Sequence, residues 1–317
     1  MGVLVTPTSL NESARKYRKA LLIAVSIGLG HSLKHMTVRP GIRFEETVGE
    51  LDGSFELKPN LGAFPAGLSD ATIKGRTLKT YQGQVYELFH LQNLISTIYG
   101  LDMTAQKKSD KFDINKKLLF LIVKRISAKL NQNLFSAVRD DAGTTTAKLF
   151  DGFDTITAAE IVLTNIAAGK GNYQEIVAID DTNAVDILQS IFEGSSDELQ
   201  FEKSKMFITA AQYNSYLKDY KVTTGATPYN TEYKKLYLEG SNDNCELVPL
   251  ISKKTSPYIH LTTKANTLIG VDQMSDLEKV RIKEDNNVNY TQFIMDMFFG
   301  TQFDTLSKEK FMTAKIV

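Results

Sequence analysis

The chain has 317 residues and carries 37 Lys+Arg against 37 Asp+Glu, with 42% hydrophobic and 23% charged residues. This is globular composition, which excludes a disordered or collagen-like chain, and its zero net charge argues against a dedicated nucleic-acid binder, whose mark is a strongly basic domain. The single cysteine, Cys245, forbids an intrachain disulfide and fits a reducing compartment, while four scattered histidines (His31, His35, His90, His260) leave little material for a zinc site.

Along the chain, Ser9-Leu-Asn-Glu12 has the form of a capping box, so a helix is expected to begin ahead of the basic patch Arg15-Lys-Tyr-Arg-Lys19. That patch and the apolar stretch Ala20–Leu29 outline a signal peptide, but Ser26, Gly28 and Gly30 break the stretch and no small-x-small site follows. It is also shorter than the roughly 20 residues of a membrane span. A helical arm packing on another surface is the better reading. From residue 1 to 44 the arm holds seven basic residues (Arg15, Lys16, Arg18, Lys19, Lys34, Arg39, Arg43) and one acid, Glu12. Such a bias fits either a solvated helix face or an arm turned toward an acidic partner or nucleic acid.

Residues 37–83 read as extended chain: strands at 37–44 and 53–57, a turn near Asp52-Gly53, a break at Gly62-Ala-Phe-Pro-Ala-Gly67, and extended chain again over Thr72–Val85. The segment is too long for a connector and too poor in apolar residues for a core, and a two-stranded ribbon is marginal alone in water. A neighbouring subunit is the economical cover for its edges.

The strongest helix is expected from about Asp113 to Asp140. Ile114, Leu118, Ile122, Ile126, Leu130, Leu134 and Val138 share one i+4 row, widened by Leu119 and Val123. Asp113 caps its start, Gly143 supplies a left-handed stop, and the rod would span about 40 Å. Alternating elements follow: a strand at Tyr173–Ile179, a helix capped by Asp181 with apolar positions Ala184, Val185, Leu188, Ile191 and Phe192, a strand at Lys205–Thr209 and a short helix through Leu217. Strands at 235–238, 245–250, 258–262 and 268–271 complete an α+β region with a mostly antiparallel sheet. Residues 171–202 hold eight acids and no Lys or Arg, either a solvated face or a charged rim on an assembly. The last forty residues return to strands at 278–284, 292–303 and 310–317.

Catalytic signatures are missing. Gly28-Leu-Gly30 does not complete a dinucleotide loop, since Leu33 stands at its sixth position. Ala168-Gly169-Lys170-Gly171 lacks the earlier glycine of a phosphate loop, and no nucleophile elbow, H-E-x-x-H or calcium loop occurs. Cys245 sits in a strand as a buried structural thiol. His31 and His35 share a helix face without a third ligand. The pairs Asp140-Asp141 and Asp180-Asp181 read as caps at helix ends. No enzyme activity, cofactor or metal is expected.

The order of arm, extended hairpin loop, long helix, α+β domain and returning strands resembles the major capsid proteins of tailed bacteriophages, the Hong Kong phage capsid fold. Lys116–Asp140 followed by Lys148-Leu-Phe-Asp-Gly-Phe-Asp-Thr-Ile156 looks like the spine helix and its glycine-containing sequel. Asp181–Leu199, then Met206-Phe-Ile-Thr-Ala-Ala-Gln-Tyr-Asn-Ser-Tyr-Leu217, is similar to axial-domain elements. So is Leu261-Thr-Thr-Lys-Ala-Asn-Thr-Leu-Ile-Gly-Val-Asp272 to a strand segment common in these proteins. Val280-Arg-Ile-Lys-Glu-Asp and Gln292-Phe-Ile-Met-Asp-Met-Phe-Phe-Gly-Thr-Gln-Phe303 resemble peripheral-domain strands.

The resemblance implies an α+β fold with an N-terminal arm (1–36), an extended β-hairpin loop (37–83), a peripheral domain with the spine helix (84–155), an axial domain (156–277) and return strands of the peripheral domain (278–317). It implies a structural protein that self-assembles into pentamers and hexamers of an icosahedral virion shell. Scaffold and portal proteins would be its partners, packaged double-stranded DNA would lie inside, and assembly would occur in the bacterial host cytoplasm without a membrane. Phe55, Leu57, Leu61 and Phe64 are the expected inter-subunit contacts. Thirty-six arm residues are too few for a cleavable scaffold, so a separate scaffold or an already mature chain is expected. An encapsulin-type cargo shell is the alternative of the same fold, and a soluble α+β enzyme or binding protein the alternative of another class.

Overall fold

The structure is a computed structural model that describes residues 30–52, 72–90, 114–225, 236–272, 280–284 and 290–317, together with Glu12 and Lys16. In chain order the elements begin with α1 (Gly30–Leu33), β1 (Thr37–Pro40), β2 (Glu45–Asp52), β3 (Thr72–Lys79) and β4 (Tyr81–His90). Then come α2 (Ile114–Asn133), α3 (Phe153–Val162), β5 (Tyr173–Ile176), α4 (Ala184–Glu193) and α5 (Asp197–Phe201). They are followed by β6 (Ser204–Ile208), α6 (Ala210–Thr224), β7 (Leu236–Tyr237), β8 (Cys245–Pro249) and β9 (Tyr258–Thr263). The chain ends with β10 (Thr267–Val271), β11 (Val280–Glu284), β12 (Tyr290–Phe303) and β13 (Phe311–Ile316). Glu12 and Lys16 of the arm are helical; the proposed cap at Ser9 lies outside the described residues.

Three sheets form among the described residues. The first is built on β12, which pairs antiparallel with β4, β10 and β11, while β1 lies parallel to β10. Alternation explains its inner face: Phe293, Met295, Phe299 and Phe303 point one way along β12 and are buried. The second sheet has six strands in the order β5-β13-β9-β6-β8-β7 and is mixed, with β5–β13 and β6–β8 parallel. The third is the ribbon β2–β3, registered from Glu45 opposite Lys79 to Asp52 opposite Thr72.

The six-stranded sheet is covered on both faces, and the two-residue period of its strands separates two cores. Phe207, Val248 and Phe311 face the core shared with α2, α3 and β12. Their neighbours Met206, Ile208, Leu247 and Met312 face the core shared with α4 and α6. The five apolar positions expected along α4 are all buried there.

Several local expectations are corrected. The long helix stops at Asn133, 20 residues after its start and about 30 Å along the axis. Asn133 turns its own side-chain amide back onto the Lys129 carbonyl (2.8 Å), competing with the helical ladder. Beyond it, residues 134–140 run alongside 147–154: Val138 N donates to Ala147 O (2.9 Å), Gly152 N to Ala137 O (2.8 Å) and Asp154 N to Phe135 O (3.0 Å). Val138, expected on the buried row, is therefore exposed, and the buried stripe runs through Leu119, Val123 and Leu130. Gly143 is not left-handed. It is a glycine because a Cβ there would meet the Lys148 side chain at 2.2 Å.

Asp181 does not cap α4 but holds Ser215 and Lys218 of α6, both at 2.7 Å. The α4 N-terminus is capped from a distance instead, Val185 N donating to the buried Asp219 carboxylate at 2.8 Å. The α6 helix is longer than expected, 15 residues, with a reciprocal capping box between Thr209 and Gln212. Finally, β13 was expected beside the other return strands; it pairs with β5 and β9 in the six-stranded sheet. Its alternating Met312 and Ala314 need the apolar face that this sheet provides. Conversely β10, placed by sequence in the axial domain, belongs to the sheet of β12.

Candidate functional site

The feature that sequence marked out for subunit contact is the extended loop, and the structure shows how it is rooted. Ribbon β2–β3 leaves the first sheet where β3 and β4 cross it. Inside the chain its apolar cover among the described residues is a cluster of four: Ile42, Val48, Leu78 and Leu268. Thr80, between β3 and β4, donates its N–H to Phe44 O (2.7 Å) and its hydroxyl to Ile42 O (3.1 Å).

The crossing is possible because the sheet beneath is bare of side chains at one point. Gly270 of β10 lies opposite Gly300 of β12 in register. A Cβ on Gly300 would sit 1.9 Å from Lys79 O, and one on Gly270 would sit 2.7 Å from Thr80 Cγ2. The paired glycines form a notch into which the Lys79–Thr80 backbone fits. An isolated glycine inside a strand is the sequence signal for such a close approach.

Arg76 fixes the ribbon's direction. Its guanidinium donates to Phe303 O (3.1 Å), Gln302 Oε1 (3.0 Å) and Glu160 Oε1 (2.7 Å), joining β3 to the end of β12 and to α3. Gln302 in return donates to Thr77 O at 3.0 Å. The fork geometry of arginine serves three acceptors at once, which a lysine could not reproduce. Around this root Phe44, Tyr86 and Leu88 are large, apolar and exposed, with Phe44 edge-on to Phe298 at 5.9 Å.

A second cluster lies deep between the six-stranded sheet, α3 and the end of α2. Lys253 is wholly buried; its ammonium donates to Asp154 Oδ1 (2.9 Å), Tyr258 O (2.8 Å) and Ser256 Oγ (2.9 Å). It also lies 2.7 Å from His260 Nδ1 and 4.4 Å over the Phe135 ring. An ammonium has only protons to offer, so Nδ1 accepts and the proton of neutral His260 sits on Nε2, donated to Thr157 Oγ1 at 2.8 Å. Thr157 passes its own proton to Phe153 O at 2.8 Å. Burial pulls the Lys253 ammonium down to about 8, against the attraction of Asp154. Burial first, and the Lys253 charge second, hold His260 well below its ordinary value. Phe135, Phe303 and Phe311 pack around the imidazole and close the junction. It is a fully satisfied polar knot that ties α3 to β9, not an opening for substrate.

The remaining sequence candidates fall elsewhere. Phe55, Leu57, Leu61 and Phe64 lie outside the described residues. Cys245 is completely buried and its thiol is pushed up to about 12 by burial. His35 stands 3.7 Å from Glu246, which also holds Lys205. Asp140 and Asp180 accept from backbone N–H groups two residues ahead, at 3.1 and 2.8 Å, local turns as their sequence implied. No group of three metal-ligating side chains occurs among the described residues, and no described helix is long and apolar enough to cross a membrane. Arg76, the Gly270–Gly300 notch and the Lys253 knot were not singled out by sequence; the glycines alone carried a readable signal.

No protein-family model matches the chain. No curated protein matches it in sequence. Solved structures do. A chain in the capsid of a native GTA particle is 13% identical with a TM-score of 0.56, covering 100% of this chain and 92% of that one. One from the procapsid of satellite phage P4 is 11% identical, TM-score 0.55, with coverages of 89% and 93%. One from the capsid of Myoviridae phage XM1 is 9% identical, TM-score 0.55, with coverages of 91% and 92%. The resemblance to tailed-phage major capsid proteins therefore holds at the level of the fold, an α+β capsid fold spanning nearly the full length of both chains.

Proposed function

We propose that this chain is the structural major capsid protein of a tailed phage or prophage, building pentamers and hexamers of an icosahedral shell that encloses double-stranded DNA. The observation that carries the reading is the whole-length likeness to capsid chains, at a fold that leaves a ribbon of two strands standing on the subunit. A two-stranded ribbon is marginal alone in water, and this one is rooted by Arg76 and the glycine notch but covered by only four apolar residues. A neighbouring copy supplies the rest. Heterologous contacts of this kind close into rings, and many weak interfaces sum to a stable shell. Scaffold and portal proteins are the further partners, and the shell is assembled in the host cytoplasm. The division into arm (1–36), extended loop (37–83), peripheral (84–155 and 278–317) and axial (156–277) regions belongs to the same proposal, with β13 moved to the axial sheet and β10 to the peripheral one.

Phe55, Leu57, Leu61 and Phe64 are proposed to bury against that neighbour. Each large apolar side chain so buried contributes roughly 1.5–3 kcal/mol. The Leu57→Ala, Phe64→Ala double variant is expected to raise the concentration needed for assembly at least tenfold while leaving the far-ultraviolet circular dichroism of the subunit unchanged. Assembly at the wild-type concentration would remove these residues from the interface.

A further inference from the structure

The zero net charge of the chain conceals a separation of charge that only the fold makes visible. Over Ile114–Asn133 the sequence carries Lys116, Lys117, Lys124, Arg125 and Lys129 and no acid. Lys124, Arg125 and Lys129 are exposed, and no described side chain pairs with them. Like charges at i,i+4, as at Arg125 and Lys129, destabilise a helix on its own. The basic arm ends against this same helix: Leu33 and Met36 pack in its core, and Ser32 donates to Asn131 at 2.6 Å. Exposed Lys34 follows directly. Two basic stretches some eighty residues apart in sequence thus meet on one side of the subunit.

The opposite side is acidic. Glu175, Asp180, Asp181, Asp186, Glu193, Asp197, Glu198 and Glu202 are all exposed, on and around α4 and α5. Those helices cover the face of the six-stranded sheet that looks away from α2.

Resting on the shell reading above, we infer that the α2–arm side is the inner face of the shell and that Lys124, Arg125 and Lys129, with Lys34, contact the phosphate backbone of duplex nucleic acid there, without reading its sequence. Charge complementarity selects a polyanion. The acidic face of a second copy is not the occupant, because joining opposite faces stacks subunits in layers instead of placing them side by side in a wall one molecule thick. A row of cations along a straight helix suits the regular phosphates of a duplex, and contacts of this kind give affinity that falls with salt by about 0.9 in log–log slope per phosphate neutralised.

The test is a fluorescence-anisotropy titration of a 30-base-pair mixed-sequence DNA with the purified full chain from 50 to 300 mM salt, paired with electron micrographs of the same samples. The variants are Lys124→Gln/Arg125→Gln/Lys129→Gln, with glutamine keeping helix propensity, and the acidic-face control Asp186→Asn/Glu193→Gln/Asp197→Asn. The basic variant is expected to reduce the salt slope by about two to three and weaken binding at least tenfold at 50 mM, the control leaving both unchanged. Wild-type binding retained in the basic variant, or no duplex binding by wild type at 50 mM, overturns the inference. So does a basic variant that loses assembly but keeps duplex binding, which would make the face a subunit contact. The micrographs judge the shell reading separately, since particles either form or do not, whatever the titration shows.

Discussion

Replacing Lys253 with alanine is expected to lower the stability of the unassembled subunit by about 3–5 kcal/mol, the usual cost of leaving one buried charge without its partner. The Asp154 carboxylate would keep its buried place with its counter-charge gone, and the Ser256 hydroxyl and Tyr258 carbonyl would lose their donor. The double variant Lys253→Met/Asp154→Leu removes both charges together and is expected to regain most of the loss. Urea unfolding of the three proteins decides it; a single-variant cost below about 1 kcal/mol would mean that water reaches the pair and that the knot is not a dry junction.

The same cluster sets a pH dependence. Folded His260 resists protonation while the unfolded chain takes up a proton as pH falls through 6.5, so stability declines below that value. Between about 8 and 10.5 the unfolded chain holds a proton that folded Lys253 has given up, and stability rises with pH across that window. In His260→Gln the acid decline is expected to shrink.

The second large effect is expected at the notch. Gly300→Ala places a methyl group 1.9 Å from Lys79 O, against backbone that cannot swing aside as a side chain would. Overpacking of this kind costs about 1–3 kcal/mol. Because the displaced atoms are the root of ribbon β2–β3, the change should also tilt the ribbon and impair assembly more than the stability loss alone accounts for. Gly169→Ala is the matched control, with nothing within 4 Å of its added carbon. Calorimetry and assembly yield of both variants test the point; equal behaviour of the two would show that β3 does not need the notch.

What the sequence revealed follows periodicity. Strands β8, β9, β10 and β12 and helix α4 were legible because alternation or a helical stripe repeats across each, and burial respects both patterns. The end of α2 was not. Leu134 and Val138 continued the helical row, yet the side-chain bond of Asn133 and the pairing of 134–140 with 147–154 took the backbone elsewhere. Capping of α4 from Asp219, 34 residues downstream, leaves no local trace. The knot was equally invisible, since Asp154, Lys253 and His260 are up to 106 positions apart and each is unremarkable alone. Charge behaved similarly: the basic arm and the acidic stretch were each visible, and only the core arrangement showed that they occupy opposite sides of one sheet.

The most direct test of the shell-building role is the size of the purified particle, by light scattering and negative-stain electron microscopy, with a scaffold partner or crowding agent present. Closed polyhedral shells, tubes or rings of five and six subunits are the expected result, and nucleic acid rather than protein cargo inside them distinguishes a virion from an encapsulin. A strict 35.4 kDa monomer under all of these conditions would contradict the account.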